Sequence, residues 1–482
     1  MKTFSINTLG CKVNQYESQQ IRELLEKFGM QKAEFSEKPD LVVINTCCVT
    51  HTASAKSRQQ IRKFQKHYPE AIVVVCGCLP VIENSLPTQD IDLQSNSNQK
   101  SENILFVTNR DELAAILIQL VSKTYCRNHF QAERNCTPGL NLQSINPIKT
   151  EYDAKIKLKK GFTENPELPV LTCFQDQTRA FLKVQDGCDG LCSYCIIPRT
   201  RPDVRSKPVK EAINEAKSLV QAGHKEIVIT GVCLGAYGRD SARRRANLSE
   251  NTDYLADLVE KIAQIPNLKR IRLSSIEPSD ITDSLLDIFR QYSNIMPHIH
   301  LSLQSGSDAV LKKMCRRYKV DAVRKIIDRI KTFLDNPAIT TDMIVGFPGE
   351  TDENFNDTVK LVQETGFAKI HVFRFSPRKG TAAARMKDVI DSKTVHSRSE
   401  ILLQMDKQSG YNFRNQFVGK NESILIESNG GKPAGRSERY FMVYLNQQKA
   451  ANHNTQFQKN DLVKVKLLKN TKDGMTAEPV SY

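Results

Sequence analysis

Phe181-Leu-Lys-Val-Gln-Asp-Gly-Cys188-Asp-Gly-Leu-Cys192-Ser-Tyr-Cys195 is the stretch on which the reading of this chain turns. A strand-like run ends at Gly187, and three cysteines follow on one short loop in a C-x3-C-x2-C spacing. A cubane iron–sulfur cluster has four irons, normally capped one each by thiolates. Three thiolates on one loop reach three corners and leave the fourth iron open. The competing reading is zinc, which closes at four ligands and usually takes two C-x2-C pairs or added histidines. A fourth ligand here would have to be Cys233 or a distant histidine, and nothing nearby supplies a second pair. The spacing therefore favours a cluster with a vacant iron. Such an iron can chelate the amino and carboxylate groups of S-adenosylmethionine (SAM).

Outward from the triplet, strand and helix alternate between Ala180 and about Met386. Strands are expected at 181–185, 226–230, 270–274, 299–303, 339–345 and 369–375, with helices at 208–221, 252–264, 279–291, 308–315, 320–334 and 352–364. Six strands in βα order predict a partial (β/α)6 barrel, whose chemistry gathers at the C-terminal strand ends. At those ends stand candidate SAM contacts. Thr230-Gly231 leaves room for the methionine part, Glu277 and Gln304 offer polar groups to the ribose or amino group, and Gly346-Phe-Pro-Gly-Glu350 lines an adenine pocket. A polar residue at a strand end is often only a cap, so the weight of these four lies in their shared edge.

The N-terminal third repeats one pattern three times. Thr3–Thr8, Asp40–Asn45 and Ala71–Val75 read as strands, and each runs into a cysteine: Cys11, Cys47 and Cys78. Helices are expected from Asn14, as N-cap, to Gly29, with Ile21, Leu24, Leu25 and Phe28 on one face, and over 52–66. A fourth strand (Ile104–Val107) and a helix (Arg110–Val121) complete a parallel α/β domain. Strand ends on one edge converge, so three thiolates distant in sequence can meet and hold a second, auxiliary cluster. A lone cysteine is more often a packing residue. Neighbours on a strand point to opposite faces, which assigns Cys48 and Cys76 to packing and leaves a swap with Cys47 or Cys78 open.

The polar stretch 83–103 reads as an exposed loop, and 123–175 as a linker or insertion in which Cys126, Cys136 and Cys173 have no ligand spacing. After a helical connection at about 394–408, short strands at Ser423–Glu427, Tyr440–Tyr444 and Leu462–Leu467 predict a small β-barrel. The expected domains are thus 1–122, 123–175 as linker, 176–408 and 411–482, an α/β chain closed by a C-terminal barrel.

The chain has 482 residues and a formal charge of +15, and residues 411–482 carry 11 Lys/Arg against 6 Asp/Glu. This excess, with Arg243–Arg245, Lys312-Lys313 and Arg316-Arg317, fits an RNA backbone partner or a set of solvated faces. Tyr440, Phe441 and Tyr444 are candidate stacking platforms or core residues. No apolar run approaches the ~18 residues of a membrane span, and the N-terminus lacks a signal-peptide core, so a cytoplasmic protein without a membrane partner is expected. Thirteen cysteines in that reducing setting point to metal or redox chemistry.

With these residues in view the chain resembles the radical SAM methylthiotransferases. The resemblance rests on the triplet, on Cys11, Cys47 and Cys78 after strands, and on a C-terminus similar to a TRAM domain. It also rests on the segments Arg272-Leu-Ser-Ser-Ile-Glu277-Pro278, His300-Leu-Ser-Leu-Gln304-Ser-Gly-Ser307 and Asp342-Met-Ile-Val-Gly-Phe-Pro-Gly-Glu350. Thr8-Leu-Gly-Cys11-Lys-Val-Asn-Gln-Tyr16-Glu-Ser18 is similar to the MtaB type within that family, which modifies N6-threonylcarbamoyladenosine beside the tRNA anticodon.

The resemblance implies two [4Fe-4S] clusters, Tyr194 beside the SAM adenine, and no catalytic residue beyond the cluster ligands. It implies two SAM molecules, one methylating a sulfur on the auxiliary cluster and one cleaved to a radical that activates adenine carbon 2. That carbon has no acidic proton or leaving group, so polar catalysis would not suffice. The implied partners are the anticodon stem-loop of tRNA and an electron donor such as a flavodoxin or ferredoxin. Three features depart from the family pattern: Ile197-Pro-Arg199-Thr-Arg-Pro-Asp-Val-Arg205, Cys233, and the stretch 83–103. Rival readings are the same chemistry on isopentenyladenosine in tRNA or on a ribosomal protein, and a non-catalytic iron–sulfur RNA-binding protein. The SAM-site strand ends argue against the last.

Overall fold

A computed structural model describes residues 1–34, 37–84, 103–122, 166–240, 253–428, 433–446 and 457–480. Nearly all of the expected 83–103 loop, most of 123–175 with Cys126 and Cys136, and Arg243–Arg245 lie outside the described residues. The chain forms two compact units. One is Met1–Cys48 with Ala53–Val170, and the other is Val49–Thr52 with Leu171–Tyr482. The C-terminal barrel therefore belongs to the same compact body as the central strands.

The first unit holds a five-stranded parallel sheet in the order β2-β1-β3-β4-β5, from β1 (Thr3–Thr8), β2 (Gln31–Lys32), β3 (Leu41–Thr46), β4 (Ile72–Gly77) and β5 (Ile104–Phe106). β3 is buried along its whole length, as a central parallel strand covered on both faces must be. Phe4, Ile21, Leu24, Leu25, Val43, Val74 and Leu117 form the core, with Cys76 among them. The edge strand β2 was not expected, because two residues are too few to show a period. The first helix runs Lys12–Lys27, and its N-cap is Cys11 rather than Asn14. Asn14 has a different task, described below. Gly29 does end that helix, at φ +79°.

The second unit opens with β6 (Arg179–Asp186), β7 (Arg205–Ser206), β8 (Glu226–Gly231), β9 (Arg270–Leu273), β10 (His298–Gln304), β11 (Ala338–Val345) and β12 (Lys369–Arg374). They form two sheets, β7-β6-β8-β9 and β10-β11-β12, linked by the parallel bridges Ile271↔Ile295 and Ile276↔Leu301. Apart from the short antiparallel β7, the strands are parallel and follow chain order, which is the expected open (β/α)6 barrel.

The helix expected at 394–408 extends over Ser392–Asn415 and leads into a closed barrel ordered β13-β14-β15-β17-β16. Its strands are β13 (Asn421–Ser428), β14 (Ala434–Ser437), β15 (Met442–Leu445), β16 (Leu462–Asn470) and β17 (Met475–Pro479). β14 and β17, Ala-Gly-Arg-Ser and Met-Thr-Ala-Glu-Pro, carry too little apolar alternation to be read as strands.

This barrel packs against the N-terminal ends of the central strands, the edge opposite the cysteine loop. Arg272 donates to the Glu226 carboxylate (2.9 Å) and to the carbonyls of Ser437 and Glu438 (both 2.8 Å). Arg270 donates to the carbonyls of Ser423 (2.6 Å) and Arg436 (3.0 Å). Tyr440, at φ +71°, stacks on His298 at 4.8 Å, with Arg179, Arg272 and Arg436 over its ring. The ring is thus engaged in docking the barrel, which removes it as a stacking platform for RNA bases.

Candidate functional site

The cysteine loop leaves β6 through Gly187, whose φ of +72° and crowding by the Asp203 carbonyl both require glycine. Backbone and hydroxyl bonds then hold the loop in place. Cys188 N–H donates to Arg201 O (2.9 Å), Ser193 N–H to Met314 O (3.1 Å) and Ser193 Oγ to Lys313 O (2.7 Å). Gly190 N–H points at Cys188 Sγ, 3.3 Å away. A Cβ at Gly190 would lie 3.1 Å from Cys188 Sγ and 3.9 Å from Cys192 Sγ, so these two thiols converge on the space that the glycine leaves.

The electrostatics around the three sulfurs are uneven. A hydrogen bond from Cys233, helped by Gly190 N–H, holds the Cys188 thiol down at about 6. Burial raises Cys192 and pushes Cys195 up to about 12. The Arg316 guanidinium favours the thiolate at all three and is itself almost wholly buried, paired with Glu277. Two converging thiols, a third thiol on the same loop, an N–H aimed at sulfur and one buried cation make a donor set suited to a thiolate-bound cluster. Sequence reasoning placed Arg316 in a basic run that either meets an RNA backbone or is a solvated face. Its real partner, Glu277, is 39 residues away in the chain and left no local signal.

The expected SAM residues lie around this loop. Tyr194 is half-buried beside Val310, Met314, Phe347 and Ala383, its ring edge-on to Phe347 at 6.5 Å. Thr230 is buried at the end of β8, and Gly231 lies so close to Gln185 that an added Cβ would sit 2.9 Å from it. Gln185 in turn accepts from Cys233 N–H at 2.7 Å. Gln304 ends β10 at φ +73°, an unusual backbone for a non-glycine residue. Gly346 has φ +75° and is crowded by Val395. Glu350 has partners within the protein: its carboxylate accepts from Gly346 N–H (2.8 Å) and Arg398 (2.7 Å), and the residue is 2% exposed. These bonds brace the loop from within.

In the first unit the segments carrying Cys11, Cys47 and Cys78 are drawn together by Asn14. Its amide donates to Leu9 O (3.2 Å), Asn45 Oδ1 (3.1 Å) and Thr46 O (2.9 Å). Cys78 N–H donates to Thr46 O at 3.0 Å, and a Cβ on Gly10 would lie 2.9 Å from the Cys47 Cβ. Gly77, at φ +91°, permits the approach of the third segment. Cys11 donates to Asn14 Oδ1 at 3.2 Å, and Arg110 donates to Cys78 Sγ at 3.4 Å. Arg110 was not singled out from sequence. It stands in the turn after β5, the fourth strand end on the same edge. Cys48 is fully buried, and Cys76 lies in the apolar core.

Comparison with known proteins identifies the family. The Radical SAM superfamily matches residues 182–362, and the uncharacterized protein family UPF0004 matches residues 3–93. The chain is 34% identical over 474 residues to the threonylcarbamoyladenosine tRNA methylthiotransferase MtaB of Bacillus subtilis (strain 168), covering 97% of this chain and 94% of that protein. Identity is 33% to the protein of the same name from Thermotoga maritima, covering 89% of this chain and 87% of the relative. It is 32% to the tRNA-2-methylthio-N(6)-dimethylallyladenosine synthase of Neorickettsia sennetsu, covering 92% and 87%. With matches spanning nearly the whole of each chain, the protein belongs to the radical SAM methylthiotransferases, enzymes that insert a methylthio group.

Proposed function

We propose that this enzyme adds a methylthio group to carbon 2 of N6-threonylcarbamoyladenosine next to the anticodon of tRNA. The observation that supports the mechanism is the pair of three-cysteine sets, each following the C-terminal ends of parallel strands. Cys188, Cys192 and Cys195 would hold one [4Fe-4S] cluster with an iron open to SAM, and Cys11, Cys47 and Cys78 would hold the second. When bound, the first cluster supplies the electron for reductive SAM cleavage and the second supplies the sulfur.

The chain's own residues then bind and orient. Tyr194 and the apolar group around Phe347 exclude water beside the adenine, and Gly231 admits the Gln185 side chain that accepts from Cys233 N–H. Gln304 offers its amide to the SAM ribose or amino group, while Glu277 holds Arg316 against the sulfurs. Gly346 gives the adenine-side loop its turn, and Glu350 serves by keeping that loop shaped. Asn14 and Arg110 would do for the second cluster what Gly190 and Arg316 do for the first, fixing sulfur positions and balancing negative charge.

The substrate assignment rests on the Thr8–Ser18 segment and on the relatives named for threonylcarbamoyladenosine. The charge of +15 and the basic C-terminal segment support a tRNA anticodon stem-loop as partner. Reduction would come from a small electron-transfer protein of the flavodoxin or ferredoxin kind. Action on tRNA supports a cytoplasmic enzyme, and among the described residues no helix is long and apolar enough to cross a membrane. Nucleoside mass spectrometry of tRNA from a deletion strain tests the assignment. The methylthio-threonylcarbamoyl nucleoside should vanish while the methylthio-isopentenyl one remains, and the opposite pattern would overturn it.

A further inference from the structure

Three adjacent strands of the open barrel bring together side chains that the proposed chemistry does not use. His300 on β10, Asp342 on β11 and His371 on β12 each offer a ligand atom, and these atoms all lie within 4.8 Å of one another. The register explains the meeting. Thr340 pairs with His300, and Asp342, two residues on, pairs with His371, so all three share one face of the sheet. The other face carries Leu301, Leu303, Thr341, Met343 and Ile370, all buried. His300 and Asp342 are half-buried, and His371 is exposed on the last strand.

His300 Nε2 lies 3.2 Å from Asp342 Oδ2, and its Nδ1 lies 2.8 Å from Thr340 Oγ1. The His300 and His371 rings are 5.5 Å apart. Two imidazoles and one carboxylate, with a hydroxyl orienting one ring from behind, form the donor set that borderline divalent metals prefer. The bland alternative is a hydrogen-bonded polar cluster at an open barrel face. Against it stands the convergence: both rings approach the same carboxylate, and neither offers a positive charge unless protonated.

We infer that His300, Asp342 and His371 bind a divalent transition-metal ion in the barrel lumen, at a site formed without cysteine. Three protein ligands leave coordination positions for water or for an oxygen donor entering the lumen.

The test uses the anaerobically reconstituted holoenzyme, with both clusters loaded, dialysed against zinc at about ten micromolar. Zinc and iron are counted together by mass spectrometry, and zinc-edge X-ray absorption reports the ligands. The expected result is about one zinc per chain with nitrogen and oxygen neighbours only. His371→Ala, at an exposed position, and Asp342→Asn should each lower zinc retention at least tenfold with iron content unchanged. Sulfur neighbours at the zinc, equal zinc in the variants, or no zinc held by the loaded wild type would each overturn the inference.

Discussion

At the scale of single residues, buried charge follows long-range pairing. Lys312, Lys313, Arg316 and Arg317 look alike in sequence, yet Lys313 donates to the Gly349 carbonyl while Arg316 turns inward to Glu277 and the cysteine loop. Glu422 is a second case. Burial pushes its carboxyl up to about 7 from an ordinary 4.5, with Arg439 beside it only partly offsetting the effect. The folded chain thus holds this proton more tightly than the unfolded one. Stability should fall as pH rises from about 4.5 to about 7, by up to ~3 kcal/mol at ~1.4 kcal/mol per pH unit. Glu422→Gln removes that loss. Its melting temperature should exceed the wild type's at pH 8 and converge with it below pH 4.5, and equal melting at pH 8 would contradict the reading.

Among elements, the strands that carry the cysteines were legible because each is a continuous apolar or alternating run with a cysteine just beyond it. β3 and β4 are such runs, and β6 ends at the triplet. What escaped the sequence was carried by short or weakly patterned pieces. β2 has two residues, β14 is Ala-Gly-Arg-Ser, and Asn14 looked like a cap because an asparagine commonly is one. Its actual bonds reach Asn45 and Thr46 across the sheet edge, contacts that no local pattern announces. The same edge distinguishes Cys47, packed against Gly10, from Cys48, which is fully buried. Cys47→Ala should cost the reconstituted protein about four of its roughly eight irons, whereas Cys48→Ala should keep them. Iron analysis reads the difference, and the reverse result would exchange the two assignments.

For the whole molecule, the second unit separates its tasks along the strands. The C-terminal strand ends carry the triplet and the residues proposed to contact SAM, and the N-terminal ends anchor the small barrel through Arg179, Arg270 and Arg272 around Glu226 and Tyr440. Arg272→Ala removes a buried ion pair and two bonds to barrel carbonyls, which should cost about 3 kcal/mol. Denaturant unfolding should then show the small barrel melting ahead of the central strands, and an unchanged single transition would speak against this anchoring. The central claim is a division of labour between two cysteine sets. One mass-spectrometric run tests it, following reconstituted enzyme incubated with reductant, SAM and threonylcarbamoyladenosine-bearing tRNA. The wild type should yield 5′-deoxyadenosine and the methylthio nucleoside, Cys11→Ala should yield deoxyadenosine without the methylthio product, and Cys188→Ala should yield neither. A methylthio product from Cys188→Ala, or none from the wild type, would contradict the account.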